Sequence, residues 1–294
     1  MHTSPVLGRG APGEWDSVDV LNPSVVAHAG TYWNFYSGFD GHTWHTGLAT
    51  STDGMSWAKQ GRVLSPDPAT WEGSYIAANG SALVQDGRFY YWYQAGNPPR
   101  IALARSRDGR QWSKEPRPVL DLGPRGSWDE RGLADPYVIR AGGQLYMYYL
   151  GMDRARRQRL GVARSGDGIA WVKLRSSPVL ELGDEGAFDE VGLGEPAVWA
   201  SAGKYWMLYT GRDRAEHRRI GLAISDDGVR WRRSGLAPVL GGDEPWDDKV
   251  VCDPSVLAGP QAAIRVWFGG GNVATPAERL NGAIGYADLV PAGR

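Results

Sequence analysis

The chain has 294 residues, of which 42% are hydrophobic, and this is enough for one large core or two smaller ones. A net charge of −1 argues against binding to nucleic acid or to a membrane surface through bulk charge, so we expect neither partner. The single cysteine, Cys252, excludes an intrachain disulfide and a Cys-rich metal site. No apolar run approaches about 18 residues, and the N-terminal segment MHTSPVLGRG lacks the regions of a secretory signal. We therefore expect a cytoplasmic protein.

The composition favours an all-β protein. It includes 41 glycines, 14 tryptophans and 13 tyrosines. Abundant glycine together with aromatic residues is typical of tight turns between aromatic-rich strands, and amphipathic helical periodicity is hard to find in the sequence. All-β is the predicted fold class.

An internal repeat runs along the chain, marked by an aromatic residue followed by an acid. This anchor recurs at intervals of 56 to 60 residues. Its five copies are Trp15-Asp16, Trp71-Glu72, Trp128-Asp129, Phe188-Asp189 and Trp246-Asp247. Because the acid recurs in every copy, we predict that it has an architectural role.

A polar residue follows each anchor by seven or eight positions, and in four copies it precedes proline. The five pairs are Asn22-Pro23, Asn79-Gly80, Asp135-Pro136, Glu195-Pro196 and Asp253-Pro254. A short apolar stretch, a turn and an aromatic run such as QLYMYYLG come next. These patterns predict the first two strands of each unit.

The second half of each unit contains a strand that ends in serine, such as RLGVARS, and then the pattern Ser-x-Asp-Gly-x-x-Trp. This pattern occurs four times, starting at Ser51, Ser106, Ser165 and Ser225. Asp-Gly predicts a tight turn, over which the trailing tryptophan can pack. A Val-Leu strand closes the unit, which therefore has four antiparallel strands.

Four-stranded units repeated five times predict a five-bladed β-propeller that occupies residues 1–294 as a single domain. The fifth unit lacks the closing Val-Leu strand, and Pro5-Val6-Leu7 at the other end of the chain can supply it. We predict that this segment completes the last blade and closes the ring. A linear solenoid is the alternative architecture, but it would need distinct capping units.

In a propeller, the five copies of the polar position converge around the axis. We therefore predict a site at the following ring: Asn22, Asn79, Asp135, Glu195 and Asp253. Three converging carboxylates shift one another's pKa values, which separates acid roles from base roles. The alternative is that each polar residue only caps the turn into its strand. The variation among the copies disfavours a shared capping role.

Residues that occur in only one or two units are further candidates. Asp19 stands near the start of the first unit, where the other units have no acid, and His42 lies in that unit's second-to-third strand loop. The equivalent loops of units three and four carry Asp153-Arg154 and Arg212-Asp213 and are rich in arginine. They could bind a carboxylate or phosphate group of a substrate, or they are solvated charged loops.

The chain resembles the five-bladed glycoside hydrolases of families 43, 32 and 68, and also families 117 and 130. The most specific segments are ADPYVIRAGGQLYMYYLG and GEPAVWASAGKYWMLYTG. The resemblance to family 43 implies an inverting hydrolase in which Glu195 is the acid and Asp135 tunes its pKa. Asn22 departs from that pattern, because the base position requires an aspartate, and Asp19 is the candidate replacement. Family 130 phosphorylases resemble the chain in their first-unit Asn-Pro.

The sequence therefore predicts an enzyme that cleaves a glycosidic bond in a small-molecule carbohydrate. Phosphorolysis or transfer is one alternative, and a sugar-binding or biosynthetic propeller without hydrolysis is another. No motif for an organic cofactor or for zinc is visible, so we expect no cofactor. Some relatives hold a cation in the central channel, for which we identify no ligand set. The oligomeric state stays open.

Overall fold

The computed structural model describes residues 3–258 and 263–290, and it is built from β-strands and loops. The strands fall into five successive antiparallel units, which agree with the repeats. Unit one contains β1 (Asp19–His28), β2 (Thr31–Phe39), β3 (Trp44–Ser51) and β4 (Ala58–Leu64). Unit two contains β5 (Ala77–Gln85), β6 (Arg88–Ala95), β7 (Arg100–Ser106) and β8 (Ser113–Lys114). The prediction of an all-β protein is confirmed.

The remaining units follow the same order of strands. Unit three contains β9 (Gly132–Ala141), β10 (Gln144–Met152), β11 (Gln158–Ser165) and β12 (Val172–Lys173). Unit four contains β13 (Gly192–Ser201), β14 (Lys204–Arg212), β15 (Arg218–Ser225) and β16 (Arg232–Arg233). Unit five contains β17 (Val250–Ala258), β18 (Ile264–Gly271) and β19 (Ala283–Leu289). None of the described residues forms a helix that could cross a membrane.

The units differ in how their sheets join. Units one and two are separate four-stranded sheets, whereas units three to five form one continuous sheet of eleven strands. Single parallel pairs, Gln158 with Gly192 and Arg218 with Val250, make the two junctions. The N-terminal segment pairs with the outer strand of unit five, where Ile284 N donates to Leu7 O at 2.9 Å. This is the pairing predicted for Pro5–Leu7.

The first strands of the five units contact one another in a closed cycle. β1 contacts β5 and β17, β9 contacts β5 and β13, and β13 contacts β17. The core lies between neighbouring units. Phe35 of unit one packs with Phe89 and Tyr91 of unit two, for example, and Tyr36 packs in a cluster with Trp267 of unit five. This packing places the starts of the first strands around one central space.

The Ser-x-Asp-Gly segments form tight turns at the ends of β3, β7, β11 and β15. In each turn the aspartate accepts hydrogen bonds from two backbone amides, as Asp53 does from Met55 and Ser56 at 2.8 Å. These backbone bonds hold the pKa of the four aspartates below the ordinary value. The turns also join units, because Trp267 Nε1 donates to Gly54 O at 2.7 Å and Trp92 Nε1 to Gly168 O at 2.8 Å.

Candidate active site

The five polar residues of the predicted ring share an unusual backbone conformation. Their φ angles are positive, between 46° and 53°, at Asn22, Asn79, Asp135, Glu195 and Asp253. The left-handed region is unfavourable for residues other than glycine and, to a lesser degree, asparagine and aspartate. A glutamate before proline is therefore a costly choice for a turn that has only a structural role. The register of the strand shifts at the same point, for example between Gly194 and Ala197.

All five residues line one cavity of about 220 Å³. Its wall also includes side chains from the second and third strands of several units and from the connection between β18 and β19. These further lining residues include Trp44, Tyr75, Gln94, Gln158, Thr210, Arg212, Arg218 and Glu278. The structure thus brings together the ring that the sequence predicts.

Three carboxyl groups meet in this cavity. Oxygens of Glu195 and Asp253 lie within 4.8 Å of each other and of the Cys252 sulfur. Asp253 Oδ2 accepts hydrogen bonds from Asn22 N at 3.2 Å and from the Cys252 thiol at 3.1 Å. Burial and the neighbouring Glu195 raise the pKa of Asp253 to about 7. This carboxyl therefore carries a proton well above the pH at which an ordinary aspartate ionises.

Asp135 is the second carboxyl of the ring whose pKa is raised. Burial raises its pKa well above the ordinary value, and the charges of Glu195 and Asp253 raise it further. A hydrogen bond from the Asn79 side chain and the charge of Arg218 act in the opposite direction. Mutual repulsion among these groups is thus present, as the sequence predicts.

Arg218 supplies positive charge to this group of acids. It is half-buried, and although burial disfavours its charged form, its interactions with Cys252, Glu195 and Asp253 outweigh burial and raise its pKa. Arg218 belongs to the arginine-rich segment of unit four, but it is not one of the individual site residues predicted from the sequence. A comparison of the repeats contains a signal for it, because the position that opens the third strand is Trp44 in unit one, Gln158 in unit three and Arg218 in unit four.

Arg212 was predicted from the sequence and also lines the cavity. Its Nη1 lies 3.4 Å from Glu216 and donates to Pro276 O at 3.5 Å. Its Nε is buried and has no hydrogen-bond partner among the described residues. The cavity wall therefore includes two guanidinium groups beside the three carboxyl groups of the ring.

Asp19 does not occupy the position that a base requires. It is fully buried and is not among the residues that line the cavity. Oδ2 accepts a hydrogen bond from Arg279 N at 2.6 Å, and Oδ1 accepts one from Gly282 N at 2.8 Å. Both oxygens therefore hold the connection between β18 and β19, which we call the 272–282 loop. The expectation that Asp19 replaces the missing base does not fit this placement.

Four other predicted binding residues also lie outside the cavity lining. His42 is exposed, and its backbone N donates to Asp40 at 2.8 Å. Asp153 is buried in its own loop, where it pairs with Arg157 and Arg159 at 2.8 Å, and Arg154 pairs with Glu130 at 2.7 Å.

Asp213 likewise accepts hydrogen bonds from the backbone amides of its own loop, at Ala215 and His217. For His42, Asp153, Arg154 and Asp213, contacts within or beside their own loops thus explain where the polar groups lie. The solvated-loop alternative therefore fits them better than a role in binding a substrate.

A cation of the kind found in some relatives does not fit the tightest group at the axis. Ca²⁺ prefers six to eight oxygen ligands. Here the third member of the group is the Cys252 thiol, whose pKa burial raises well above the ordinary value, so it stays protonated. The Arg218 guanidinium already supplies positive charge to the two carboxyls.

The family model for the glycosyl hydrolases family 32 N-terminal domain matches residues 22–191, which include three of the five ring positions. The chain belongs to this family. The resemblance to five-bladed glycoside hydrolases is therefore confirmed at the level of the family, and the fold is a β-propeller of the glycoside hydrolase type.

Relatives of this family 32 domain include proteins of known and unknown activity. The uncharacterized protein Rv1502 of Mycobacterium tuberculosis is 27% identical over 76% of this chain and 77% of its own length. A 1,2-beta-oligomannan phosphorylase of Thermoanaerobacter is 32% identical, but over only 45% of each chain.

Solved structures show the same fold at low sequence identity. A glycoside hydrolase has a TM-score of 0.77 at 17% identity and covers 99% of this chain and 92% of its own. A thermostable family-43 glycoside hydrolase has a TM-score of 0.73 at 19% identity, with 97% and 92% covered. A structure from the family 130 mannoside phosphorylases and hydrolases has a TM-score of 0.76 at 19% identity, with 98% and 92% covered.

Proposed function

We propose that this chain is a five-bladed propeller enzyme that cleaves a glycosidic bond with inversion, and that Glu195 is the general acid. The observation that carries the proposal is the convergence of three carboxyl groups from three different units in one cavity, each in a left-handed backbone conformation. Membership of a glycoside hydrolase family supports this reaction class. The closed cycle of first strands supports five blades.

The roles of the carboxyls follow from their surroundings. Glu195 donates a proton to the leaving oxygen while the nucleophile attacks the anomeric carbon from the opposite face, so that the carbon–oxygen bond breaks without a free alkoxide. When water is the nucleophile, the proton that it loses passes to solvent water. Asp135 and Asp253 hold protons to higher pH than ordinary aspartates, so they adjust the charge around Glu195. Asn22 and Asn79 donate hydrogen bonds to sugar hydroxyls.

Asp253 does not serve as the inverting base beside Glu195. Inverting enzymes separate their two carboxyls by about 6.5–9.5 Å, which leaves room for a water molecule. The oxygens of Glu195 and Asp253 lie within 4.8 Å of each other, which is closer than this range. We therefore assign Asp253 to charge adjustment rather than to activation of water.

Phosphorolysis is the second candidate reaction, and two observations favour it. Asn22 cannot accept a proton from water, whereas a phosphate nucleophile needs no base. Arg212 and Arg218 line the same cavity, and the buried Nε–H of Arg212 donates to no acceptor among the described residues. One relative is itself described as a phosphorylase of 1,2-beta-oligomannan.

The test is turnover of a panel of 4-nitrophenyl glycosides and underivatised oligosaccharides, with and without inorganic phosphate. We expect the wild-type protein to cleave at least one member and Glu195→Gln to lower kcat by about 10²–10⁴-fold, with an unchanged circular dichroism spectrum. Release of a sugar 1-phosphate only when phosphate is present would establish the second candidate. Sugar binding without turnover by the wild-type protein would instead establish a sugar-binding propeller. Full activity of Glu195→Gln on an underivatised oligosaccharide, whose leaving oxygen needs a proton, would remove Glu195 as the acid.

A further inference from the structure

The 272–282 loop is longer than the equivalent connection in any other unit. It has eleven residues, whereas the other connections between second and third strands have four or five. Pro276, Ala277 and Glu278 of this loop line the cavity. Unit five therefore contributes a segment of wall to the cavity that the other units lack.

Contacts from three other units hold this loop in place. Unit one contributes Asp19, whose two oxygens bind the amides of Arg279 and Gly282. Unit four contributes Arg218, whose Nη2 donates to the carbonyls of Thr275 at 3.2 Å and Pro276 at 3.1 Å. Ahead of β5 in unit two, the Tyr75 hydroxyl bonds to Glu278. These contacts thus hold the loop at several points between Thr275 and Gly282.

The backbone of the loop is strained where Asp19 binds it. Arg279 and Asn281 have φ angles of 66° and 59°, in the left-handed region. A non-glycine residue such as Arg279 keeps this conformation only where surrounding contacts enforce it. Asp19 accepts hydrogen bonds on either side of Asn281, so its carboxylate is one of the contacts that enforce this local shape.

The size of the cavity limits how large a ligand can enter it. Pockets for drug-sized ligands measure about 300–1,000 Å³. The cavity here measures about 220 Å³, which suits a single sugar ring better than several consecutive units of a polymer. The loop and Tyr75 contribute part of the wall that limits this space.

We propose that the 272–282 loop makes this site select the end of a sugar chain, and that Asp19 is the positioning residue that holds the loop in the cavity wall. This inference rests on the proposed cleavage of a glycosidic bond. Asp19 acts through the amides of Arg279 and Gly282 and not on the substrate. The terminal sugar enters the cavity, and the rest of the chain extends towards solvent.

The first experiment uses pentasaccharides, labelled with 2-aminobenzamide at the reducing end, of whichever sugar the wild-type protein cleaves in the panel. We expect the labelled chain to shorten by one unit at a time from the earliest time points. Early release of di- or trisaccharides from internal bonds would overturn the inference and leave the proposed function intact. If the wild-type protein cleaves no sugar of the panel, it is the proposed function that fails.

The second experiment releases the loop with Asp19→Asn and, separately, Tyr75→Phe. We expect the KM for the labelled pentasaccharide to rise about tenfold for Asp19→Asn, with a smaller change in kcat, because two hydrogen bonds to a charged carboxylate are weakened. Products of internal cleavage should appear in both variants. Wild-type KM and wild-type products in two folded variants would overturn the role of the loop.

The matched control is Asp53→Asn. Asp53 also accepts hydrogen bonds from two backbone amides, but it lies beyond the far end of β3 from the cavity. Its substitution should lower stability without changing the product pattern. If Asp19→Asn does not fold, Tyr75→Phe decides the question, because the Tyr75 side chain is 45% exposed and its hydroxyl is not needed for the core.

Discussion

Two sets of buried acids recur around this molecule, and their surroundings differ. The anchor acids of units one to four each contact a tyrosine hydroxyl and a lysine or arginine. Asp129, for example, accepts from the Tyr149 hydroxyl at 3.2 Å and pairs with Lys173 at 2.6 Å. The axial acids Asp135, Glu195 and Asp253 have no such individual partners in the described chain and share the charge of Arg218.

This comparison separates architecture from chemistry. A carboxylate that is paired in the same way in four units stabilises each unit, because removing one partner would leave the other uncompensated. Carboxyls that face one another across a cavity repel, and the raised pKa values of Asp135 and Asp253 are of the kind found at sites of acid–base chemistry. A buried acid is therefore informative about function only when its partners are known.

The largest expected effect concerns a paired anchor. Asp129→Asn removes the charge that Lys173 faces and weakens the acceptor of the Tyr149 hydroxyl. We expect the free energy of unfolding to fall by about 3–4 kcal/mol, because one member of a buried pair is left uncompensated. Urea unfolding measures this loss. A loss below about 1 kcal/mol, the value for an exposed pair, would contradict the assignment of a stabilising role.

The next effect tests the axial acids through pH. An aspartate has a pKa near 3.9 in an unfolded chain, and that of Asp253 is about 7 in the folded protein. The folded state thus holds this proton more tightly, so the contribution of Asp253 to stability is fully present below about pH 4 and is lost as the pH rises towards 7. We expect Asp253→Asn to remove a loss of up to about 4 kcal/mol across that range.

Urea unfolding at several pH values measures this difference. The wild-type curve should approach that of Asp253→Asn at low pH and fall below it at neutral pH. Asp129→Asn is the control, because it lowers stability without removing the slope that the axial acids cause. Parallel curves for the wild type and Asp253→Asn would show that Asp253 has an ordinary pKa.

Most of the frame could be predicted from the sequence because it repeats. The anchors, the polar-Pro pairs and the Asp-Gly turns each recur at a fixed phase, so one copy explains the others. Asp19 and Arg218 could not be placed in the same way. Their partners are backbone groups of the 272–282 loop, more than 50 residues away, and that loop has no repeated counterpart. Backbone amides and carbonyls leave no signature in a sequence, so the sequence alone could not show that the partners of Asp19 lie in this loop.

The anchor acid of unit five, Asp247, differs from the other four, and its substitution should have a smaller effect on stability. Asp247 is 1% exposed, and its Oδ2 has no hydrogen-bond partner among the described residues. Burial raises its pKa, and the charges of Asp243 and Glu244 add to the effect. Asp247→Asn should change stability by no more than about 1 kcal/mol at pH 7, because it removes an unpaired charge rather than a pair. A loss equal to that of Asp129→Asn would mean that an unseen partner holds this acid.

The smallest effect comes from supplying the missing hydroxyl of unit five. Phe268 occupies the position in unit five that Tyr149 and Tyr209 occupy in units three and four. In each unit the aromatic ring packs against the glycine that is its cross-strand partner, and for Phe268 this glycine is Gly285. Phe268→Tyr should place a hydroxyl beside Asp247 Oδ2, as Tyr209 does beside Asp189 at 3.0 Å. One new hydrogen bond to a buried carboxyl should raise the free energy of unfolding by about 0.5–1 kcal/mol. The gain should disappear in the double variant with Asp247→Ala, and a gain that persists there would show that the hydroxyl acts elsewhere.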